Sequence, residues 1–173
     1  MKIGLMTAVT DSPEASFDDI VNDAQRAEAE GFSAIWMANI FGLDAISTLS
    51  IIGRATKTIE LGTAVTPTYP RHPTALAQQA LTAAVASGNR FNLGIGLSHK
   101  VVIENMFGFS YDKPAQHMRE YLSVLMPLLA GDAVQFTGDH YNVNGVRLTM
   151  PGQPKVPTLI AALGPVMLNL AGA

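Results

Sequence analysis

Cysteine is absent from the 173 residues. Disulfides and thiolate metal sites are thereby excluded, and a reducing cytoplasm is the compatible setting. Charge is scarce too. Charged residues make up 14% of the chain and apolar ones 48%, so a large buried core is expected and disorder is not. The net charge of -3 comes with no long basic run, so nucleic acid is not an expected partner. No stretch of about 18 uncharged apolar residues exists, which argues against a membrane span. The apolar tract 76–85 is broken by Gln78, Gln79 and Thr82 and suits a buried helix. The apolar run within Met1 to Thr7 is too short for a signal peptide. No G-x-G-x-x-G follows the first strand, and no G-x-S-x-G or H-E-x-x-H occurs. A dinucleotide fold, a nucleophile elbow and a metal site are therefore not expected.

What is present is a repeated unit: a short apolar run, then glycine and small polar residues, then a helix with an apolar face. Strands are predicted at residues 2–7, 33–38, 59–65, 91–97 and 157–162. Helices are predicted at 17–30, 44–55, 73–86 and 114–129, with another starting at Pro165. Ser16 and Asp19 have capping-box spacing, Gly31 fits a left-handed helix stop, and Pro73 suits a first helical turn. Residues 134–143 read as two short strands around a Gly-Asp turn, a hairpin inserted before the last strand. Successive βα units imply parallel strands with right-handed crossovers. Spacing alone leaves an open doubly wound sheet and a (β/α)8 barrel both standing. The length suggests one domain.

Ligands of such folds sit at the C-terminal ends of the strands, which directs attention to three segments. Gly94-Ile95-Gly96-Leu97-Ser98 places two glycines at a strand end. Either they let backbone N–H groups approach a phosphate or flat ring, or they relieve crowding inside a tapered barrel. Ala161-Ala162-Leu163-Gly164-Pro165 leads into a helix N-terminus and reads as an anion site or an ordinary tight loop. The third, Thr66-Pro67-Thr68-Tyr69-Pro70-Arg71-His72-Pro73, is stiffened by prolines. Its Arg71 and His72 read as contacts to a phosphate or carboxylate, or as a surface arginine and a capping histidine. His99 is placed to donate to a ligand. His117, in a helix beside Arg119 and Glu120, reads as solvated or capping, and His140 as exposed. Trp36 and Met37 read as core.

These segments, with Lys2-Ile3-Gly4-Leu5, Trp36 through Ala45 and Glu60 through Val65, resemble the luciferase-like monooxygenase superfamily. Within it they resemble the oxidoreductases dependent on the deazaflavin coenzyme F420. The resemblance implies a TIM-type (β/α)8 barrel. Here it would be an incomplete barrel of about five parallel strands with a small inserted hairpin, so residues 1–173 are expected to be the N-terminal portion of a single barrel domain. It implies a ring lying in the barrel mouth, backed by a non-proline cis peptide near Ala64-Val65. Thr66, Gly94, Gly96, Ser98, His99, Ala162 and Gly164 would join Ala64 and Val65 around the cofactor. Sugar-oxidising relatives carry an Asp-His pair after the second strand, with the His as base. Here those positions read Asn39-Ile40, so proton abstraction from an alcohol is not expected. Asn39 becomes the candidate catalytic-site residue, orienting substrate or ring by hydrogen bonds.

The implied activity is hydride transfer between reduced F420 and a small organic substrate. An FMN-dependent monooxygenase is one alternative. A truncated, non-catalytic remnant is another, since a full barrel takes about 250 residues. Homodimers are frequent in the family.

Overall fold

The computed structural model describes residues 1–7 and 16–172. Five strands follow the predicted order: β1 (Gly4–Thr7), β2 (Ala34–Met37), β3 (Glu60–Thr63), β5 (Phe91–Gly96) and β8 (Thr158–Ile160). A two-residue strand, β4 (Thr66–Pro67), comes between β3 and β5. All pair in parallel, with β1, β2, β3 and β5 adjacent in that order and β4 and β8 both on β5. Among the described residues this sheet is an arc that does not close on itself. The hairpin β6 (Val134–Thr137) and β7 (Asn142–Val146) forms its own antiparallel pair outside the arc.

The helices are α1 (Phe17–Ala29), α2 (Ala45–Ala55), α3 (Pro73–Ala86), α4 (Pro114–Ala130) and α5 (Pro165–Ala171), with a π-helical turn at Val102–Met106. Their ends follow the local chemistry. Ser16 and Asp19 exchange backbone N–H bonds in a capping box, and Gly31 sits at φ 86° beyond α1. Pro73 opens α3, where its missing N–H costs nothing. The His72 ring accepts from the Thr74 N–H, so its capping role is realised. Among the described residues no helix is long and apolar enough to cross a membrane. The tract 76–85 lies inside α3, packed between α2 and α4.

One face of the arc is covered by helices. Ile35, Leu61, Phe91, Leu93 and Ile95 pack there against Leu49, Leu76, Ala80, Met118 and Tyr121. Each large side chain so buried contributes about 1.5–3 kcal/mol. Met37 belongs to this core, as expected. Trp36 does not. Its register partners are Met6 and Gly62 on the opposite, open face, where Met6 is exposed. A Cβ at Gly62 would meet Trp36 Cζ3 at 2.3 Å, and one at Gly4 would meet Trp36 Nε1 at 3.3 Å. The indole therefore lies across three strands, seated by the missing side chains.

The expected continuous strand 59–65 is interrupted. Gly62 pairs with Asn92 but Thr66 pairs with Ile95. One extra residue is thus accommodated between them, in the manner of a bulge. It falls at Ala64-Val65, whose peptide bond is cis, as the family resemblance implied.

Loops are tied down by carboxylates. Glu28 on α1 accepts from the N–H groups of Lys57, Thr58 and Ile59 and from the Thr58 hydroxyl. Burial pushes its pKa up, but these bonds outweigh it and hold the group down at about 2. Arg90, just before β5, does the converse. Its guanidinium donates to the carbonyls of Gly53, Thr56 and Ile59 and to the Thr56 hydroxyl.

A candidate cofactor shelf at the strand ends

The bulge decides what stands at the mouth. A Cβ at Gly94 would lie 1.9 Å from the Thr63 carbonyl oxygen and 3.5 Å from Val65 Cγ1; one at Gly96 would lie 2.7 Å from Val65 Cγ2. The two glycines thus make room for the Thr63–Val65 backbone and for the Val65 side chain, which lies across them on the open face. The Gly94 N–H already donates to the Thr63 hydroxyl (2.9 Å), which donates in turn to the Gly94 carbonyl (2.7 Å). The two glycines relieve crowding against this backbone and side chain. Gly94 has no spare N–H for a phosphate.

The one-residue shift also turns Thr66 under the sheet. In register with core residue Ile95, it is fully buried, and its Oγ1 has no hydrogen-bond partner. Its hydroxyl is therefore turned away from the open face, and its main chain is paired with β5.

Asn39 sits beside this shelf, its N–H directed at the Val65 carbonyl (3.4 Å). Its Oδ1 accepts from the Ala45 N–H (3.0 Å) and from Arg71 Nη2 (3.4 Å). Arg71 is itself held by Asp44 at 2.5 Å. Asp44 caps α2 through the Ser47 N–H. Burial pushes the Asp44 carboxyl up, but the Ser47 bonds and Arg71 together bring it below its ordinary value. Tyr121 donates to the Arg71 carbonyl from below (3.0 Å). Arg71 is therefore neither a surface arginine nor a free anion contact: its carboxylate partner is internal.

His117 corrects the sequence reading. It is 3% exposed, not solvated. Its ring stacks on Tyr69 at 3.9 Å and 3°, and its Nε2 bonds the Thr68 hydroxyl. Tyr69 stacks on Tyr111, whose hydroxyl donates to the Ser98 carbonyl, while Tyr121 and Tyr141 close on the far side of His117. An aromatic column so joins the glycine loop to the hairpin, each contact worth about 0.5–1.5 kcal/mol. Its signal was the helical phase: 117, 121, 124 and 128 share one face of α4, and all four are buried. Glu120, on the next face, accepts the N–H groups of Asp139, His140 and Tyr141 and so anchors the hairpin turn. His140 is exposed, as expected.

Burial, with His140 adding to it and Glu120 opposing, pushes His117 down to about 4. Unfolded, it takes a proton near 6.5. The unfolded state then binds more protons than the folded one, so stability is full above pH 6.5 and falls as pH drops toward 4. Urea midpoints between pH 7 and 5 should decline in the parent chain and stay flatter in His117→Phe. Parallel declines would contradict this assignment.

The remaining expected residues belong to the loop after β5 and to the turn into α5. Ser98 has φ 62°, His99 is exposed and Ala162 half-buried. Gly164 caps α5, and no heavy atom lies within 4 Å of where its Cβ would be. The arrangement fits a flat ring. An apolar ledge, Val65, stands over side-chain-free backbone, with the Asn39 main chain against the Val65 carbonyl. The shelf's contributors missed by motif reading are Thr63, which bridges Gly94, and Tyr111, which holds Ser98.

The family model described as luciferase-like monooxygenase matches residues 1–173. The chain is 34% identical over 161 residues to a 5,10-methylenetetrahydromethanopterin reductase of Archaeoglobus fulgidus, covering 92% of this chain and 48% of that protein. It is 29% identical over 168 residues to an F420-dependent glucose-6-phosphate dehydrogenase of Amycolatopsis mediterranei, covering 89% of this chain and 50% of that protein. The solved structure of an F420-dependent secondary alcohol dehydrogenase with an F420-acetone adduct superposes with a TM-score of 0.85 at 23% identity, covering 99% of this chain and 55% of that one. The chain spans about half the length of the curated relatives it matches.

Proposed function

Since the chain belongs to the luciferase-like monooxygenase family, we propose that it is the N-terminal portion of a barrel oxidoreductase that transfers hydride between reduced coenzyme F420 and a small organic substrate. The observation that carries this reading is the Val65 ledge over Gly94 and Gly96, with Asn39 beside it. Curated relatives that use F420 support the choice of cofactor. When bound, the deazaflavin supplies the hydride chemistry. This chain's residues bind, orient and exclude water.

In that arrangement Val65 and the Ala64-Val65 backbone support one face of the ring, and Gly94 and Gly96 leave the space the ledge needs. Thr66, Ser98, the His99 side chain, Ala162 and Gly164 line the periphery. The aromatic column fixes Ser98, and hence the loop after β5. Asn39 orients the reacting partner. It holds no proton that it could exchange near neutral pH, so it acts by hydrogen bonding and not as a base.

Titration of the purified chain with F420 and with FMN, followed by cofactor fluorescence, tests the reading. Saturable F420 binding, weakened tenfold or more by Val65→Asp, is expected. Tighter FMN binding with oxygen consumption would favour the monooxygenase chemistry instead, and no binding of either would reject the cofactor site.

A further inference from the structure

Asn144-Gly145 is the single Asn-Gly step of the chain, and the fold leaves it open. Gln135 pairs with Asn144 and Val134 with Val146, so Gly145 is the extra residue of a bulge in β7. It takes φ 68°, which suits glycine, and no heavy atom lies within 4 Å of where its Cβ would be. Asn144 is exposed. Its side chain makes no hydrogen bond among the described residues, whereas that of Asn142 accepts from the Thr137 hydroxyl. β7 pairs with β6 alone, and a two-stranded ribbon opens locally at little cost. The other asparagines are held differently. Asn39 and Asn89 accept main-chain N–H groups through their side chains, and Asn92 donates to the Leu61 carbonyl. Asn22 and Asn169 lie in α1 and α5, and Asn105 in the π-helical turn. Each of these is followed by a residue with a Cβ.

We infer that Asn144 is a site of spontaneous covalent modification, where the side-chain amide is lost and the folded hairpin acquires aspartate or isoaspartate. The Gly145 main-chain nitrogen gives up its proton to solvent and attacks Asn144 Cγ. The new C–N bond closes a five-membered imide, the Cγ–Nδ2 bond breaks, and Nδ2 takes a proton and leaves as ammonia. Water then adds to either imide carbonyl. One ring C–N bond breaks, the nitrogen regains a proton, and a carboxylate remains. Opening at the Asn144 main-chain carbonyl routes the chain through Cγ and gives isoaspartate. Nothing is oxidised or reduced, and water is the only co-reactant. Glycine leaves the attacking nitrogen without a neighbouring Cβ to crowd the ring. The extra methylene of isoaspartate falls where the bulge already interrupts pairing, so the ladder accommodates it. Each conversion adds one negative charge to the chain's -3. The site lies on the hairpin, outside the arc, and requires nothing bound at the shelf.

The purified full chain is held in mildly alkaline buffer, sampled over time, digested and mapped by mass spectrometry. An isoaspartyl methyltransferase with a labelled methyl donor counts isoaspartate in the same samples. A one-dalton gain at Asn144 is expected, tenfold or more faster than at any other asparagine, together with a more acidic species on anion exchange. In Asn144→Gln the ring to be closed has six members, so the gain and the isoaspartate signal should both disappear. Its urea midpoint should match the parent, because the side chain it replaces is exposed and unbonded. Gly145→Ala should slow conversion tenfold or more. Equal rates at all asparagines, or an undiminished rate in Gly145→Ala, would overturn the inference. So would conversion confined to the urea-unfolded chain, since the folded hairpin would then close the site.

Discussion

The Gly94→Ala substitution is expected to lower stability by more than about 3 kcal/mol, or to leave no folded protein, because overpacking against a rigid neighbour exceeds the usual 1–3 kcal/mol range. The added Cβ would stand 1.9 Å from the Thr63 carbonyl oxygen. That atom is backbone and cannot rotate away. Two nearby glycines separate this effect from a general intolerance of alanine. At Gly96 the obstacle is Val65 Cγ2, a side-chain methyl at 2.7 Å, so Gly96→Ala should cost about 1 kcal/mol while displacing the ledge. Its F420 affinity should suffer more than its stability. At Gly164 nothing lies within 4 Å, and Gly164→Ala should stay within about 0.5 kcal/mol of the parent. Urea midpoints by circular dichroism give the three values. Equal costs at the three positions would contradict the steric account of the glycine motif.

The second large effect belongs to Arg90, far from the shelf. Its guanidinium reaches the Gly53 carbonyl at 2.8 Å, Thr56 at 2.9 and 3.1 Å, and the Ile59 carbonyl at 2.6 Å. It joins the end of α2 to the start of β3. Burial lowers its pKa, and Glu28 opposes that shift, yet the group remains a cation at any working pH. Arg90→Met keeps the stem and removes every donor, leaving three carbonyls to find water. Charge-assisted bonds are worth about 1.5–3 kcal/mol each, and bonds sharing one group do not add. A loss of about 3 kcal/mol is expected for Arg90→Met. Arg90→Lys should recover less than half, since one ammonium cannot span the fork. A loss below about 1 kcal/mol, the range of an ordinary surface change, would show that the fork is solvated and idle.

Much of the arc was legible beforehand, and for local reasons. The βα period, the Ser16–Asp19 box, Pro73 and the hairpin turn are written in neighbouring residues, and each forms where expected. The cis peptide at Ala64-Val65 came from family resemblance alone. What could not be seen depends on register between distant strands. Whether Thr66 faces helices or open space turns on a single extra residue opposite Phe91–Gly96, and such a shift reverses every later side chain. Residue type alone reads His117 as solvated or capping, whereas its helical phase points inward. Residue type alone reads Arg71 as a ligand contact or a surface arginine, because nothing local pairs it with Asp44, 27 residues earlier.

Trp36 gives the arc a built-in optical reporter. It is the single tryptophan of the chain, and its ring spans Gly4 to Gly62 on the face that carries the Val65 ledge. Its emission answers to the polarity and traffic of that face alone, with no second indole in the helical layer to subtract. Whatever settles on the open side of the sheet, cofactor, substrate or further polypeptide, announces itself in one unlabelled signal.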